Sequence, residues 1–305
     1  MNVKKYFTIV LCVVGVCLAI LSGIIVATKI VGSPNGENGI MVAKAPKDRA
    51  NILILGVDGG GSRSDTIVLA SLDNKNKKLS MMSIPRDTRV LDGREYDKIT
   101  HLFGGKKKEQ ATIDAVTRIT GVPIHYYVIV DFKGFRNIID VLGGIDIDVP
   151  SVNRGGMHYE DPEQNLFIHL NAGFQHLNGK QAEGYVRYRH GYPEGDIGRV
   201  KAQQTFAKEL LAQKLQPQYF LKAPQIFKQI SQNVNTNYGI VDMTSHLVTF
   251  KTLKQEEIRT FQLPGYSSEA HTRYGNLSCF IYDQVKTDEI VQQYFMSSPA
   301  TSPAK

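Results

Sequence analysis

Between Asn51 and Val57 the chain reads Asn-Ile-Leu-Ile-Leu-Gly-Val, an almost unbroken apolar run of strand length. Such a run predicts a strand covered on both faces. It ends at Asp58 and Gly59-Gly60-Gly61. Thr66–Leu72 and Leu79–Ile84 read as two more strands, joined by the polar turn Asp73–Lys78, so a hairpin and a mixed sheet are expected. The spacing of Ile113, Val116, Thr117 and Ile119 predicts a helix over Lys106–Thr120 that stops at Gly121. A strand over His125–Phe132, a helix over Lys133–Leu142 closed by Gly143-Gly144, and a strand over Ile145–Val149 follow. Ser151–Leu170 reads as an irregular polar loop or lid. Asn178 is placed to cap a short helix. Further helices are expected from Asp196 or Gly198 to Leu215, over Leu221–Gln232 and over Val241–Leu253. A strand over Ile258–Leu263 and a helix over Asp283–Phe295 complete the pattern. Strands alternating with helices predict a three-layer α-β-α sandwich around a mixed central sheet.

Ahead of this pattern, residues 7–28 form a stretch of 22 residues without a charge, long enough at helical rise to cross a bilayer. Lys4 and Lys5 precede it, which places the stub 1–6 in the cytoplasm and the rest of the chain outside the membrane. A cleaved signal peptide is the competing reading, with Val26-Ala27-Thr28 as the nearest cleavage site. Residues 29–50 read as a linker, 51–295 as the extracytoplasmic catalytic domain, and 296–305 as a disordered tail. The chain of 305 residues is 42% apolar and 21% charged, which suits a folded domain. Its net charge of +7, mostly outside the membrane, points to anionic lipids or polymers and away from nucleic acid. Of three cysteines, Cys12 and Cys17 fall in the span, so Cys279 stands alone outside and is expected to be buried.

The candidate chemistry lies at the strand ends. Asp58 follows the carboxyl end of the first strand, where sites form in open α/β sheets, although Asp-Gly is also an ordinary turn pair. Asp65 opens the next strand, so the loop can bring both acids together. Two adjacent carboxylates repel unless a proton or cation lies between them, and a hard divalent ion suits them when phosphates are near. Arg63 lies in the same loop. Arg86-Asp87 follows the third strand; a surface ion pair is the plain alternative. Arg187 and Arg189, two apart, share one side if the segment is extended. Arg199 and Gln203 share a helix face, with Asp196 near its start. The planar fork of arginine suits phosphate oxygens. Lys98 and His101 flank this set, and His190 is a weaker candidate.

These residues carry a resemblance. Asn51–Asp58, Arg63-Ser-Asp65-Thr66, Ser83-Ile-Pro-Arg-Asp87, Lys98-Ile-Thr-His101, Tyr126–Phe132, Val141–Ile145, Leu177–Ala182, Tyr185–His190, Gly195–Arg199 and Gln203-Gln204 run in order. The chain resembles the LytR-CpsA-Psr family of cell-wall glycopolymer transferases from Gram-positive bacteria. The resemblance implies a phosphotransferase that moves an anionic glycopolymer, such as teichoic acid or capsular polysaccharide, from undecaprenyl pyrophosphate to peptidoglycan. It implies a phosphodiester product, an apolar tunnel for the prenyl chain and attachment to the membrane by one helix. Asp58 and Asp65 would be the magnesium ligands, with manganese able to replace the ion. Arg86, Arg187 and Arg189 would act in catalysis beside them. Arg63, Lys98, Asp196, Arg199 and Gln203 would hold the pyrophosphate and headgroup. Ala202 stands where the family often carries a basic residue. A polyprenyl pyrophosphatase, a membrane-bound regulator of envelope genes and a non-catalytic binding protein are the alternatives. The first would use the same residues.

Overall fold

The structure, a computed structural model, describes residues 40–58, 60–105, 108–152, 155–163, 166–188, 191–192, 232–239 and 257–296, with isolated residues between 202 and 253. The predicted span 7–28 and nearly all of the tail lie outside the described residues. No helix among the described residues is long and apolar enough to cross a membrane.

The chain begins with strands β1 (Arg49–Val57), β2 (Ser64–Asp73) and β3 (Lys78–Ser83). A hairpin of β4 (Arg89–Asp92) and β5 (Glu95–Lys98) leads into a 3-10 helix, Ile99–Gly104. Then come α1 (Lys108–Thr120), β6 (Tyr126–Val130), α2 (Phe132–Val141) and β7 (Ile145–Val149). Next are β8 (Gly156–Asp161), β9 (Leu166–Asn171), β10 (Gly173–Leu177) and α3 (Gly179–Arg187). The last elements are β11 (Asn235–Thr236), β12 (Ile258–Gln262), β13 (Gly265–Thr272), β14 (Gly275–Tyr282) and α4 (Gln284–Tyr294). The described residues form two compact units: those within Pro34–Ile129, Thr236–Gly239 and Thr252–Lys305, and those within Val130–Asn235 and Ile240–Lys251.

The first unit is built on a mixed sheet in the order β11-β6-β1-β2-β3-β12. The β1–β2 and β2–β3 pairs are antiparallel, while β12 returns parallel to β3. The predicted strands 51–57, 66–72, 79–84 and 258–263 are therefore found within a residue or two. Leu53, Leu55, Ile67 and Leu69 face a core filled by Ile113, Val116 and Ile119 of α1 and by Leu102, Phe103, Val291 and Phe295. The alternate row, Ile52, Ile54, Val68 and Ala70, is buried as well, as the unbroken apolar run of β1 requires. Gly121 ends α1 at φ +67, a conformation that favours glycine. Cys279 is buried on β14, and burial pushes its thiol pKa up.

A polar ladder crosses the base of β1 and β2. Ser71 Oγ donates to Asn51 Oδ1 at 2.7 Å, and Arg49 donates to Ser71 Oγ at 3.0 Å and to Asp73 at 2.8 Å. Arg49 and Asp73 are cross-strand partners, with side chains 10% and 13% exposed. Removing one member of so buried a pair strands the other charge. Asp73→Ala is expected to cost about 3 kcal/mol, read from chemical denaturation, and Asp73→Asn less.

In the second unit β7 pairs with β10 and β8 with β9, both antiparallel. The expected irregular loop over 151–170 is thus corrected: most of it is the β8–β9 hairpin. Leu166, Ile168 and Leu170 alternate inward while Phe167, His169 and Asn171 face out. That two-residue period buries enough apolar surface to hold the hairpin against α3. Helix α3 starts in a full capping box between Asn178 and Gln181, as the sequence predicts for Asn178. Gly179 is needed there because a Cβ would collide with the Arg136 carbonyl of α2.

Candidate functional site

The site in the first unit grows from one irregularity in the sheet. Gly56 pairs with Thr66 but Val57 pairs with Ser64, so Asp65 is the extra residue of a bulge. A bulge re-aims the side chain it carries. Beyond it the loop closes on itself: Asp58 N–H donates to the Arg63 carbonyl at 3.1 Å, and Gly61 N–H to the Asp58 carbonyl at 3.0 Å. The Asp58 carboxylate accepts from Ser62 N–H at 2.7 Å, Ser62 Oγ at 2.8 Å and Arg63 N–H at 3.2 Å. Burial pushes its pKa up, but the Ser62 and Arg63 hydrogen bonds and the Arg63 charge outweigh this and hold it below the usual carboxylate value. Asp58 is thus held as an anion.

Arg86 arrives from β3. The ladder continues past Ser83 through Ile84 N–H to the Ile67 carbonyl, and a turn from Pro85 to Thr88 follows. Its guanidinium meets Asp65 at 2.8 Å, with side chains 56% and 39% exposed. The structure therefore brings Asp65 and Arg86 together and places Asp58 and Arg63 in the neighbouring loop. Lys98 Nζ donates to Asp87 at 2.8 Å, so Asp87 is part of the same assembly. Ser62 is a contributor the sequence reading missed. Its signal was the Asp58-to-Ser62 spacing, which lets an aspartate accept from its own loop.

Arg187 belongs to the second unit. It is the last residue of α3, with its side chain 17% exposed. The condition under which Arg187 and Arg189 would share a side, an extended segment, is not met at Arg187: the helix runs through this residue, and Glu183, one turn back, accepts from it at 2.7 Å. Glu183 is 5% exposed and also binds Arg136, so two guanidinium groups compensate one buried carboxylate. The Arg187 guanidinium lies 4.3 Å over the Phe132 ring. Arg189, His190, Asp196, Arg199 and Gln203 lie outside the described residues.

Two carboxylates are available to a cation in the first unit. Among the described residues no three His, Cys, Asp or Glu side chains gather as a metal cluster. The donor set is nevertheless that of a hard ion: Asp58 is kept ionised by its loop, and Asp65 carries an anionic oxygen already matched to a guanidinium. Magnesium keeps several waters and takes few protein ligands beside phosphate oxygens, so two aspartates fit it.

The bulge carries one acid, the loop beyond it another, and the turn after β3 an arginine, all at one end of a mixed sheet in an α/β protein. The LytR_cpsA_psr family model matches residues 25–295, and the chain belongs to that family. It is 30% identical over 272 residues to the polyisoprenyl-teichoic acid–peptidoglycan teichoic acid transferase TagV of Bacillus subtilis, covering 86% of this chain and 68% of that protein. The crystal structure of B. subtilis TagV matches with a TM-score of 0.64 at 29% identity, over 84% of this chain and 100% of that one. Regulatory protein MsrR of Staphylococcus aureus is 33% identical over 224 residues, 71% of this chain and 64% of that protein. The chain thus spans about two thirds of the length of these relatives. A structure of TagT bound to LIIa-WTA matches with a TM-score of 0.60 at 25% identity, over 87% of this chain and 97% of that one.

Proposed function

We propose that this protein is a phosphotransferase that moves an anionic glycopolymer from undecaprenyl pyrophosphate to a hydroxyl of peptidoglycan, forming a phosphodiester. The observation that carries the reading is the Asp65–Arg86 pair beside the Asp58 loop at the strand ends, in a chain of the family to which TagV belongs. Arg86 and Arg63 bind and orient the pyrophosphate, and Lys98, steadied by Asp87, adds a cation at the rim. Arg187, Arg189, Arg199, Gln203 and Asp196 are assigned to donor binding as well. Asp58 and Asp65 hold magnesium, or manganese in its place. An ion held by these two carboxylates would supply charge neutralisation to the phosphate oxygens. Catalysis of this kind is mostly positioning and electrostatics.

The reading includes the architecture: an anchor at 7–28 after the stub 1–6, a linker 29–50, a three-layer α-β-α catalytic domain over 51–295 outside the membrane of a Gram-positive-type envelope, and a tail at 296–305. The test is product analysis. The full chain, incubated with a defined lipid-linked glycopolymer and magnesium, is expected to release polyprenyl phosphate and to label peptidoglycan when peptidoglycan is present. Release of phosphate-terminated glycan at the same rate with and without peptidoglycan, and no labelled wall, makes the protein a pyrophosphatase instead. The regulator reading, which the name of MsrR brings forward, predicts neither product.

A further inference from the structure

Lys98 leads from the β4–β5 hairpin directly into the 3-10 helix Ile99–Gly104, and this short helix is fastened to both pieces of the candidate site. At its start Ile99 N–H donates to the Thr88 carbonyl at 2.8 Å and Thr100 N–H to the Arg86 carbonyl at 3.1 Å. At its end Gly104 packs on the Asp58 loop so closely that a Cβ there would lie 3.0 Å from the Ser62 carbonyl oxygen. His101 stands between these two fastenings, with its side chain 25% exposed.

The histidine is held as a general base would be held. Its Nδ1 lies 2.7 Å from Asp97 Oδ1. Asp97 is one of the more buried acids of the chain, its side chain 3% exposed. It also accepts from Lys98 N–H at 2.7 Å, and Arg273 Nε lies 3.1 Å from its other oxygen. An ionised carboxylate only accepts, so Nδ1 carries the proton and Nε2 presents a lone pair. The Tyr274 ring meets the imidazole in a T-shaped contact at 5.7 Å between centroids, a second restraint on its plane. Among the charged groups on elements packed against this helix, β5 supplies Asp97 and Lys98, and β4 supplies Arg89 and Asp92. Asp65 comes from β2, and Asp114 and Arg118 come from α1. Arg273 is tied to Asp92 as well as to Asp97, so the buried acid cannot easily move away from His101.

We propose that His101 is the general base that activates the acceptor hydroxyl, with Asp97 as its positioning residue; this rests on the transferase reading above. The hydroxyl proton passes to His101 Nε2 as its oxygen bonds to the glycan-side phosphorus. The bond from that phosphorus to the bridging oxygen breaks, and polyprenyl phosphate leaves with the electron pair. The imidazolium then gives its proton to solvent. Nothing else is consumed.

The experiment uses the full chain with the lipid-linked donor and peptidoglycan. His101→Gln is expected to lower transfer on the order of 10²–10⁴-fold, while the melting shift produced by undecaprenyl pyrophosphate stays as in the parent. The acid limb of the pH–rate profile should disappear, and free imidazole should restore part of the rate in His101→Ala. Asp97→Asn, which still fills its site but prefers the other tautomer, should lower transfer with donor binding intact. Parent-like transfer by His101→Gln with the acid limb unchanged overturns the assignment and leaves the transferase reading standing. A loss that imidazole does not rescue and that follows a fall in melting temperature makes His101 structural and also overturns it. Absence of transfer by the parent chain would instead remove the transferase reading itself.

Discussion

Replacing Asp65 with alanine is expected to lower turnover on the order of 10²–10³-fold, the scale of one lost electrostatic contact to developing charge, with little change in folding stability. The two halves of this expectation have separate causes. The Asp65–Arg86 pair is more than a third exposed on both sides, and exposed pairs contribute at most about 1 kcal/mol. The bulge that carries Asp65 is fixed by the β1–β2 register, which the substitution leaves in place. Its loss is therefore felt by whatever the carboxylate holds. In the proposed reading that is magnesium, so the magnesium concentration for half-maximal rate should rise. Asp58→Ala should lose as much turnover but also loosen its loop, because three hydrogen bonds from Ser62 and Arg63 go with it. Stability, turnover and magnesium titration of the two variants side by side check this. Parent-like rates for both in the presence of chelator would remove the metal from the reading.

The sheet was legible because its strands are bounded by local signals. The Asp73–Lys78 turn marks the β2–β3 hairpin, Asn178 caps α3 as expected, and Asp283, where the last helix was expected to begin, caps α4. The acids and Arg86 were legible as types at strand ends. Their meeting was not, since Asp65 reaches Arg86 through a bulge and a strand register that no local pattern encodes. The β8–β9 hairpin escaped because the segment is rich in polar residues, Pro162 interrupts it and the outward Phe167 blurs the alternation, although Leu166, Ile168 and Leu170 hold the two-residue period. Buried acids escaped for another reason. Glu183 and Asp97 look like surface residues until the chain folds arginines onto them, Arg136 and Arg187 in one case and Arg273 in the other. The helical state of Arg187 was not legible from its spacing to Arg189; the capping box and the Glu183 pair carry the helix to that residue.

Arg187→Lys is expected to cost about tenfold to a hundredfold in turnover, the worth of one charge-assisted hydrogen bond, and Arg187→Ala more. Lysine keeps the charge and can still reach Glu183, as a residue four positions on along the helix. What it loses is the planar fork, which can bind Glu183 through one nitrogen while offering others to phosphate oxygens, and which sits 4.3 Å over the Phe132 ring. The buried Glu183 makes the experiment decisive, because a purely structural role predicts a different outcome. If Arg187 served only to compensate that carboxylate, Arg136 would still hold it in both variants, and turnover would fall only as far as the fold was weakened. If Arg187 binds the donor, Arg187→Lys should keep its melting temperature within a few degrees, lose turnover and lose the melting shift that undecaprenyl pyrophosphate gives the parent. Glu183→Gln separates the two further. It leaves Arg187 in place with a weaker tether, so donor binding should survive while stability falls. A fully active Arg187→Ala variant would remove this residue from donor binding.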